Sequence, residues 1–280
     1  MLTEPQPFQD ALDALQRKMP YGSKRKSREW ASIEPEVKRR AFFSARVESV
    51  RFLQRARAFL LDYLDEAREV LPNGEIALRA DSRGRFVKQM MRLAVYEGLG
   101  PLGIPADQVD HESLTDVRSE ARLKLIFDTN LRQSVGFGWW TQGMDPDVLH
   151  EYPAAKFVRY PGSLEKRPRH AAHEGDIRKK TDFGYWADYQ NDPQIGGFGN
   201  PYEPYGFNSN MGQEDVSRDE AIRLGLIDPK KELKRPRLPG FNDTLKASVQ
   251  GLDIDLRRKL AKELGVKTPI KRNEIKPAKG

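Results

Sequence analysis

At 280 residues the chain is long enough for one large domain or two small ones. Its mean hydropathy of −0.72 and 32% charged residues, with no apolar run near the roughly 18–20 residues that cross a bilayer, exclude a helical membrane protein; the absence of cysteine excludes disulfides, thiolate metal sites and cysteine nucleophiles. The net charge of +7 is uneven, because residues 231–280 hold 14 Lys+Arg against 6 Asp+Glu and residues 1–230 hold 34 against 35.

The N-terminal Met-Leu-Thr-Glu-Pro-Gln-Pro has neither a basic n-region nor an apolar h-region, so no secretory signal is expected. Residues 6–19 are predicted to form a short amphipathic helix, with Phe8, Leu12, Leu15 and Met19 at spacings of three and four. Pro20 and Gly22 end it, and the basic run Lys24–Arg28 follows. From Glu36 to about Leu71 the pattern is helical throughout. Phe42, Ala45, Ser49, Phe52, Leu53, Ala56, Leu60 and Leu64 form one stripe, which predicts a helix about 50 Å long. Pro72-Asn73-Gly74 stops it.

A further helix is predicted from about Ser82 to Tyr96, carrying Phe86, Met90, Leu93 and Ala94. Gly98, Gly100, Pro101, Gly103 and Pro105 then make a loop. The next helix is predicted from about Ser113 to Ser134, with Leu123, Ile126, Phe127 and Leu131 on its apolar face. These elements make residues 1–142 a helical domain, either a bundle or an elongated hairpin.

After Gly143 the composition shifts to Pro, Gly, Asn and aromatics, with a candidate strand at Ala155–Tyr160. Residues 143–227 are read as a compact, loop-rich α+β lobe. Its aromatics could be a base-stacking platform, but with so many prolines between them they are expected to supply core burial. Ser217, with Glu220 three residues on, predicts the N-cap of a small helix to Leu224. Residues 228–280 follow as a basic linker, a short helix near Asp253–Leu264 and a disordered end. The fold class is therefore α+β, mainly α.

Two features could carry chemistry. His170 and His173 would share a helical face, and with Glu174 or Asp176 could bind a metal. With Arg169 or Lys180 they could instead serve as acid, base and cation for phosphodiester cleavage. The plainer expectation is that Arg169 and His170 hold a loop-rich lobe together through hydrogen bonds, with no catalytic residue, cofactor or metal. Phosphate-binding glycine loops and nucleophile elbows do not occur. The second feature is the cationic tail: Lys230, Lys231, Lys234, Arg235, Arg237, Arg257, Arg258, Lys259, Lys267, Lys271 and Arg272. Such a segment gains affinity for duplex DNA by releasing counterions, without sequence preference. A solubilising tail is the bland alternative.

The order of unusual residues carries a resemblance. Ala121-Arg-Leu-Lys-Leu-Ile-Phe-Asp-Thr-Asn130 leads to Trp139-Trp140, then to Tyr160, the cluster Arg167-Pro-Arg-His170, Gly175 and Tyr185-Trp186. Asn200-Pro-Tyr-Glu-Pro-Tyr-Gly-Phe-Asn208 and Val216–Leu226 close it. Over roughly residues 8–227 this order resembles the phage head-morphogenesis, or minor head, proteins named after protein F of phage Mu. The resemblance implies that Asn130, Arg169 (or Arg167), His170, Gly175 and Trp186 are structural landmarks and not catalytic groups. Many relatives have an Asn-Cys-x-Cys turn where this chain has Asn208-Ser-Asn-Met211, so any cysteine staple is missing here.

The resemblance further implies a non-enzymatic minor head protein acting in head morphogenesis at the portal vertex. Its expected partners are the portal protein, capsid or scaffold proteins and duplex DNA, with no membrane. Its expected place is the capsid interior, after assembly in the host cytoplasm. The alternatives are a phage nuclease or toxin-like enzyme using His170 and His173, or a stand-alone non-specific DNA-binding protein.

Overall fold

A computed structural model describes residues 6–22, 41–42, 44, 47–66, 68–70, 76–78, 81–160, 168–189, 199–206, 209–231, 233–236, 247–248 and 274–275. In chain order these form α1 (Gln6–Arg17), β1 (Met19–Pro20), β2 (Ala41–Phe42), α2 (Val50–Glu66), β3 (Arg68–Val70), β4 (Ile76–Leu78) and α3 (Ser82–Tyr96). Next come α4 (Glu120–Gly143), α5 (Pro146–Glu151), β5 (Ala154–Arg159), α6 (Pro168–His173), β6 (Ile177–Lys179) and a π-helical turn (Tyr185–Tyr189). The last are β7 (Met211–Val216), α7 (Arg218–Arg223), β8 (Ala247–Ser248) and β9 (Glu274–Ile275). The fold is α+β, mainly α.

Helices α1 to α3 pack with the first half of α4 around one apolar core. Leu12 and Leu15, then Phe52, Leu53, Ala56 and Leu60, then Phe86, Met90 and Ala94 meet Leu123, Ile126 and Phe127 there. The Phe86 and Phe127 rings lie 5.2 Å apart. Each fully buried Phe or Leu contributes about 1.5–3 kcal/mol relative to exposure. The α3 helix matches its predicted span.

The long helix expected from Glu36 to Leu71 does not form. Ala41–Phe42 instead pairs in parallel with Met19–Pro20, and the Tyr21 amide donates to the Phe42 carbonyl at 2.9 Å. The helix begins only at Val50, where the Ser49 hydroxyl accepts from the Phe52 amide at 3.0 Å. A serine hydroxyl that satisfies a first-turn amide favours a cap over continued helix. Phe42 is buried as expected, but from a strand. The resulting 17-residue α2 spans about 26 Å. It gives way to the hairpin β3–β4; Ala45 and residues 71–75 lie outside the described residues, as does the Leu64 side chain.

Helix α4 is displaced from its expected span of 113–134 to Glu120–Gly143. Its start is held back by a buried ion pair, Arg118 to Asp116, with the guanidinium 2.7 Å from Oδ2. Burial pushes the Asp116 carboxyl up, but the hydrogen bonds from Arg118 outweigh it and hold the group below its ordinary range. Ser119 then caps α4 by accepting from the Arg122 amide at 3.1 Å. In its second half Gly136 and Gly138 are buried inside the helix.

Beyond α4, β5 is the centre of a three-stranded antiparallel sheet of order β6-β5-β7. Phe157 meets Tyr185, Trp186, Tyr205 and Met211 in one cluster; Ala154 meets Val216, Ala221 and Ile227 in another. Trp140, Met144, Leu149 and Tyr202 form a third at the end of α4. Among the described residues the middle aromatics are thus mainly core, except that Trp139, Tyr152 and Tyr160 are exposed. Ser217 caps α7 as predicted, accepting from the Glu220 amide at 3.4 Å. The helix expected near Asp253–Leu264 lies outside the described residues, and within the last fifteen residues Glu274–Ile275 pairs with Ala247–Ser248.

Lys18 is buried at the end of α1, where its Nζ donates to Gln133 Oε1 of α4 at 2.5 Å. Arg57 of α2 donates to the carbonyls of Gln16 and Lys18, satisfying the end of α1. Burial pulls the Lys18 ammonium down to about 7 from its ordinary 10.5. The unfolded chain therefore binds the extra proton between these two values, so this group makes stability rise with pH across that window. Below pH about 7 both states carry the charge, and the desolvation cost is fully present. A Lys18→Met variant is expected to melt higher than wild type at pH 6 and to show a flatter dependence of stability on pH between 7 and 10, read by thermal or urea denaturation. Leu53→Ala should cost about 2–5 kcal/mol, whereas Arg55→Ala, on an exposed position, should cost about 0.5 kcal/mol or less. Equal small effects would mean that the α2 stripe is not core.

Candidate functional site

The landmark residues fall into two groups. Asn130 is buried within α4, where its side-chain amide donates to the Ile126 carbonyl at 2.8 Å and its own carbonyl accepts from the Ser134 hydroxyl at 2.8 Å. Both bonds stay within the helix, and Asn130 is 5% exposed.

Three of the others, His170, Gly175 and Trp186, meet Phe157 on the central strand. His170 of α6 is 1% exposed and stands edge-on to the Phe157 ring at 6.0 Å. Trp186 is fully buried, 6.3 Å from the same ring, and its Nε1 donates to the Lys179 carbonyl at 2.9 Å. Gly175 joins α6 to β6 with φ of +96°, a conformation that L side chains rarely adopt, and its amide donates to the Phe157 carbonyl at 2.8 Å. Arg169 is exposed, and Arg167 lies outside the described residues.

The two histidines do not converge on one accessible surface. His170 is core, while His173 Nδ1 lies 3.1 Å from Asp176 Oδ2, which also accepts from the Tyr185 hydroxyl at 2.9 Å. Burial pushes the Asp176 carboxyl up, but those two hydrogen bonds hold it below its ordinary value. Glu174 is paired with Arg159 at 2.9 Å. Lys180, the other suggested cation, is instead paired with Asp215 at 2.8 Å. Among the described residues no three His, Asp or Glu side chains are placed to hold a metal.

A cavity of about 490 Å³ opens between the end of α4 and the sheet. Trp139, Trp140, Tyr160 and Tyr202 supply aromatic walls, and Lys180, Glu203, Gln213 and Asp215 its polar groups. Burial pushes the Glu203 carboxyl above its ordinary range, with Arg132 pulling the other way. Gln213 is fixed by donating to Tyr205 Oη at 2.6 Å and to the Pro201 carbonyl at 2.8 Å. Sequence reading missed this site. Its signal was the Trp139-Trp140 pair together with the Pro/aromatic turn, which carry the resemblance and whose rings are expected in core burial in preference to a base-stacking platform.

Of the basic tail, Lys230, Lys231, Lys234 and Arg235 are exposed, Lys231 lying 3.6 Å from Asp228. The remaining tail positions, from Arg237 to Arg272, lie outside the described residues. The folded body reaches further than residue 227: Arg218 donates to the carbonyls of Pro229 and Lys231, and Leu233 packs against two of the clusters. No helix among the described residues is long and apolar enough to cross a membrane.

His170→Ala is expected to destabilise the fold by about 2 kcal/mol through the void it leaves under Phe157, while Arg169→Ala stays within about 0.5 kcal/mol. Gly175→Ala should cost about 1–2 kcal/mol from its backbone conformation alone. Equal melting temperatures for the His170 and Arg169 variants would contradict the structural assignment of this group. No known protein family, curated protein or solved structure matches the chain.

Proposed function

We propose that this chain is a structural minor head protein of a phage or phage-derived particle, acting in head morphogenesis at the portal vertex and not as an enzyme. The observation that carries the reading is the order of residues from Arg118 to Leu226, which resembles the phage Mu protein F family. It is supported by where four landmarks lie: Asn130, His170 and Trp186 are buried, and Gly175 makes a backbone turn onto the central strand. Landmark residues spent on packing fit a scaffold role.

In this reading the portal, with capsid or scaffold proteins, binds the body, and the basic C-terminal segment meets packaged duplex DNA inside the head. The proteins assemble in the host cytoplasm. The +8 surplus of residues 231–280 would act on phosphates without reading bases. One observation favours the nuclease alternative, namely the carboxylate that orients His173. His170 is withdrawn from such a site by burial.

Co-expression with the portal protein of the same particle should yield a complex that survives gel filtration. Recovery of this chain only as free protein, with metal-dependent cleavage of RNA or DNA that His173→Ala abolishes, would favour the enzyme instead. For the tail, log K for duplex DNA should fall against log salt with a slope of about −4.5 to −6 if five to seven charges engage. Replacing Arg257, Arg258 and Lys259 with Gln should make that slope shallower by about 2.7. An unchanged slope would remove the tail as the DNA contact.

A further inference from the structure

We infer that the cavity at the end of α4 is a recess for an arginine side chain presented by a partner polypeptide. This goes beyond the assembly reading and does not depend on it. The walls are Trp139, Trp140, Tyr160 and Tyr202, and Trp139 and Tyr160 remain exposed at 61% and 40%. Aromatic faces with an open rim suit a flat side chain carried on a peptide, whose flanking backbone can lie across the exposed rings. At about 490 Å³ the volume falls in the usual range for ligand sites, about 300–1,000 Å³.

The charges select the occupant. Lys180 is the one cation among the lining residues, and its Nζ is shielded from solvent and 2.8 Å from Asp215. Two carboxylates, Glu203 and Asp215, line the cavity against this one cation. Asp215, the partner of Lys180, has half of its side chain exposed. Glu203 forms no ion pair among the described residues, although Arg132 acts on it electrostatically. A guanidinium meets both requirements at once, stacking on an aromatic face and donating in parallel to a carboxylate. An ammonium lacks the plane, and an apolar side chain would leave Glu203 desolvated and unpaired.

The body that holds the recess is close to neutral, because residues 1–230 carry 34 Lys+Arg against 35 Asp+Glu and the surplus of the chain lies in residues 231–280. Long-range attraction by the body therefore does not account for saturable binding of a cationic peptide, which would have to come from a local acidic site.

The test is calorimetric titration of the full chain with the blocked pentapeptide Gly-Gly-Arg-Gly-Gly, against the same peptide with citrulline, its neutral near-isostere. The arginine peptide is expected to bind saturably at one site. Citrulline in place of arginine, or Glu203→Gln in place of wild type, should each weaken binding by about tenfold or more, the loss of one charged hydrogen-bonding partner. Trp139→Ala, an exposed change that spares the core, should weaken it as well and keeps the test open if Glu203→Gln fails to fold. No saturable binding to wild type, or equal affinity for the arginine and citrulline peptides, would overturn the inference. No particle component enters this experiment, so its outcome is separate from that of the portal co-expression.

Discussion

Gly136 and the carbonyl of Glu203 approach so closely that a Cβ on the glycine would lie 1.8 Å from that oxygen. Nothing but hydrogen fits there. This contact brings the loop of Tyr202 and Tyr205 down onto α4, and it accounts for a buried glycine in the middle of a 24-residue helix. With the loop seated, Trp140 stacks among Phe137, Phe183 and Tyr202 at centroid distances of 5.4–6.0 Å. The same loop carries Glu203 into the cavity wall. The aromatic lobe and the arginine recess therefore both follow from one place where two backbones touch.

Helix α4 is the member common to both cores. Its first half fills the bundle with Leu123, Ile126 and Phe127, and its last turns supply Trp140 to the second lobe. Burying so much of one helix brings polar groups inside, and each is handled separately. Ser134 and Asn130 bond within the helix, while Arg122 reaches the Ser44 hydroxyl at 2.5 Å. Lys18 is the exception, since among the described residues its ammonium meets the neutral Gln133 and no carboxylate, and burial lowers its proton affinity. A scaffold can carry that cost where the rest of the core is apolar, because one neutralised lysine removes far less than a row of buried leucines adds.

Local pattern made part of this fold legible. The α3 stripe, the Ser217 cap and the strand at Ala154–Arg159 depend on spacing and capping chemistry, which are visible in a short window. The region 36–71 was misread because Phe42 keeps the helical phase of Phe52 and Leu60 while lying in a strand. Its pairing with Met19–Pro20 is a contact between segments more than twenty residues apart, and periodicity carries no information about it. Residues 113–118 fall in the expected helix, but the mutual burial of Asp116 and Arg118 turns them into a stop, and nothing in the apolar spacing shows that pairing. At the site, His170 was singled out and its surroundings proved to be core. The cavity was not legible, because Trp140, Lys180, Glu203 and Asp215 lie far apart in the chain and meet only through α4 and β7.

The most direct measurement is the sign of the stability change in Gly136→Ala. Inside a free helix this change stabilises by about 0.5–1 kcal/mol, because alanine loses less backbone entropy on folding. If the Glu203 carbonyl sits against Gly136, the added methyl must push two backbones apart, and urea denaturation should show a net loss of about 1–3 kcal/mol. The near-ultraviolet signal of Trp140 should change with it. A variant that is as stable as wild type or more so, with that signal intact, would contradict the close approach on which the lobe and its cavity depend.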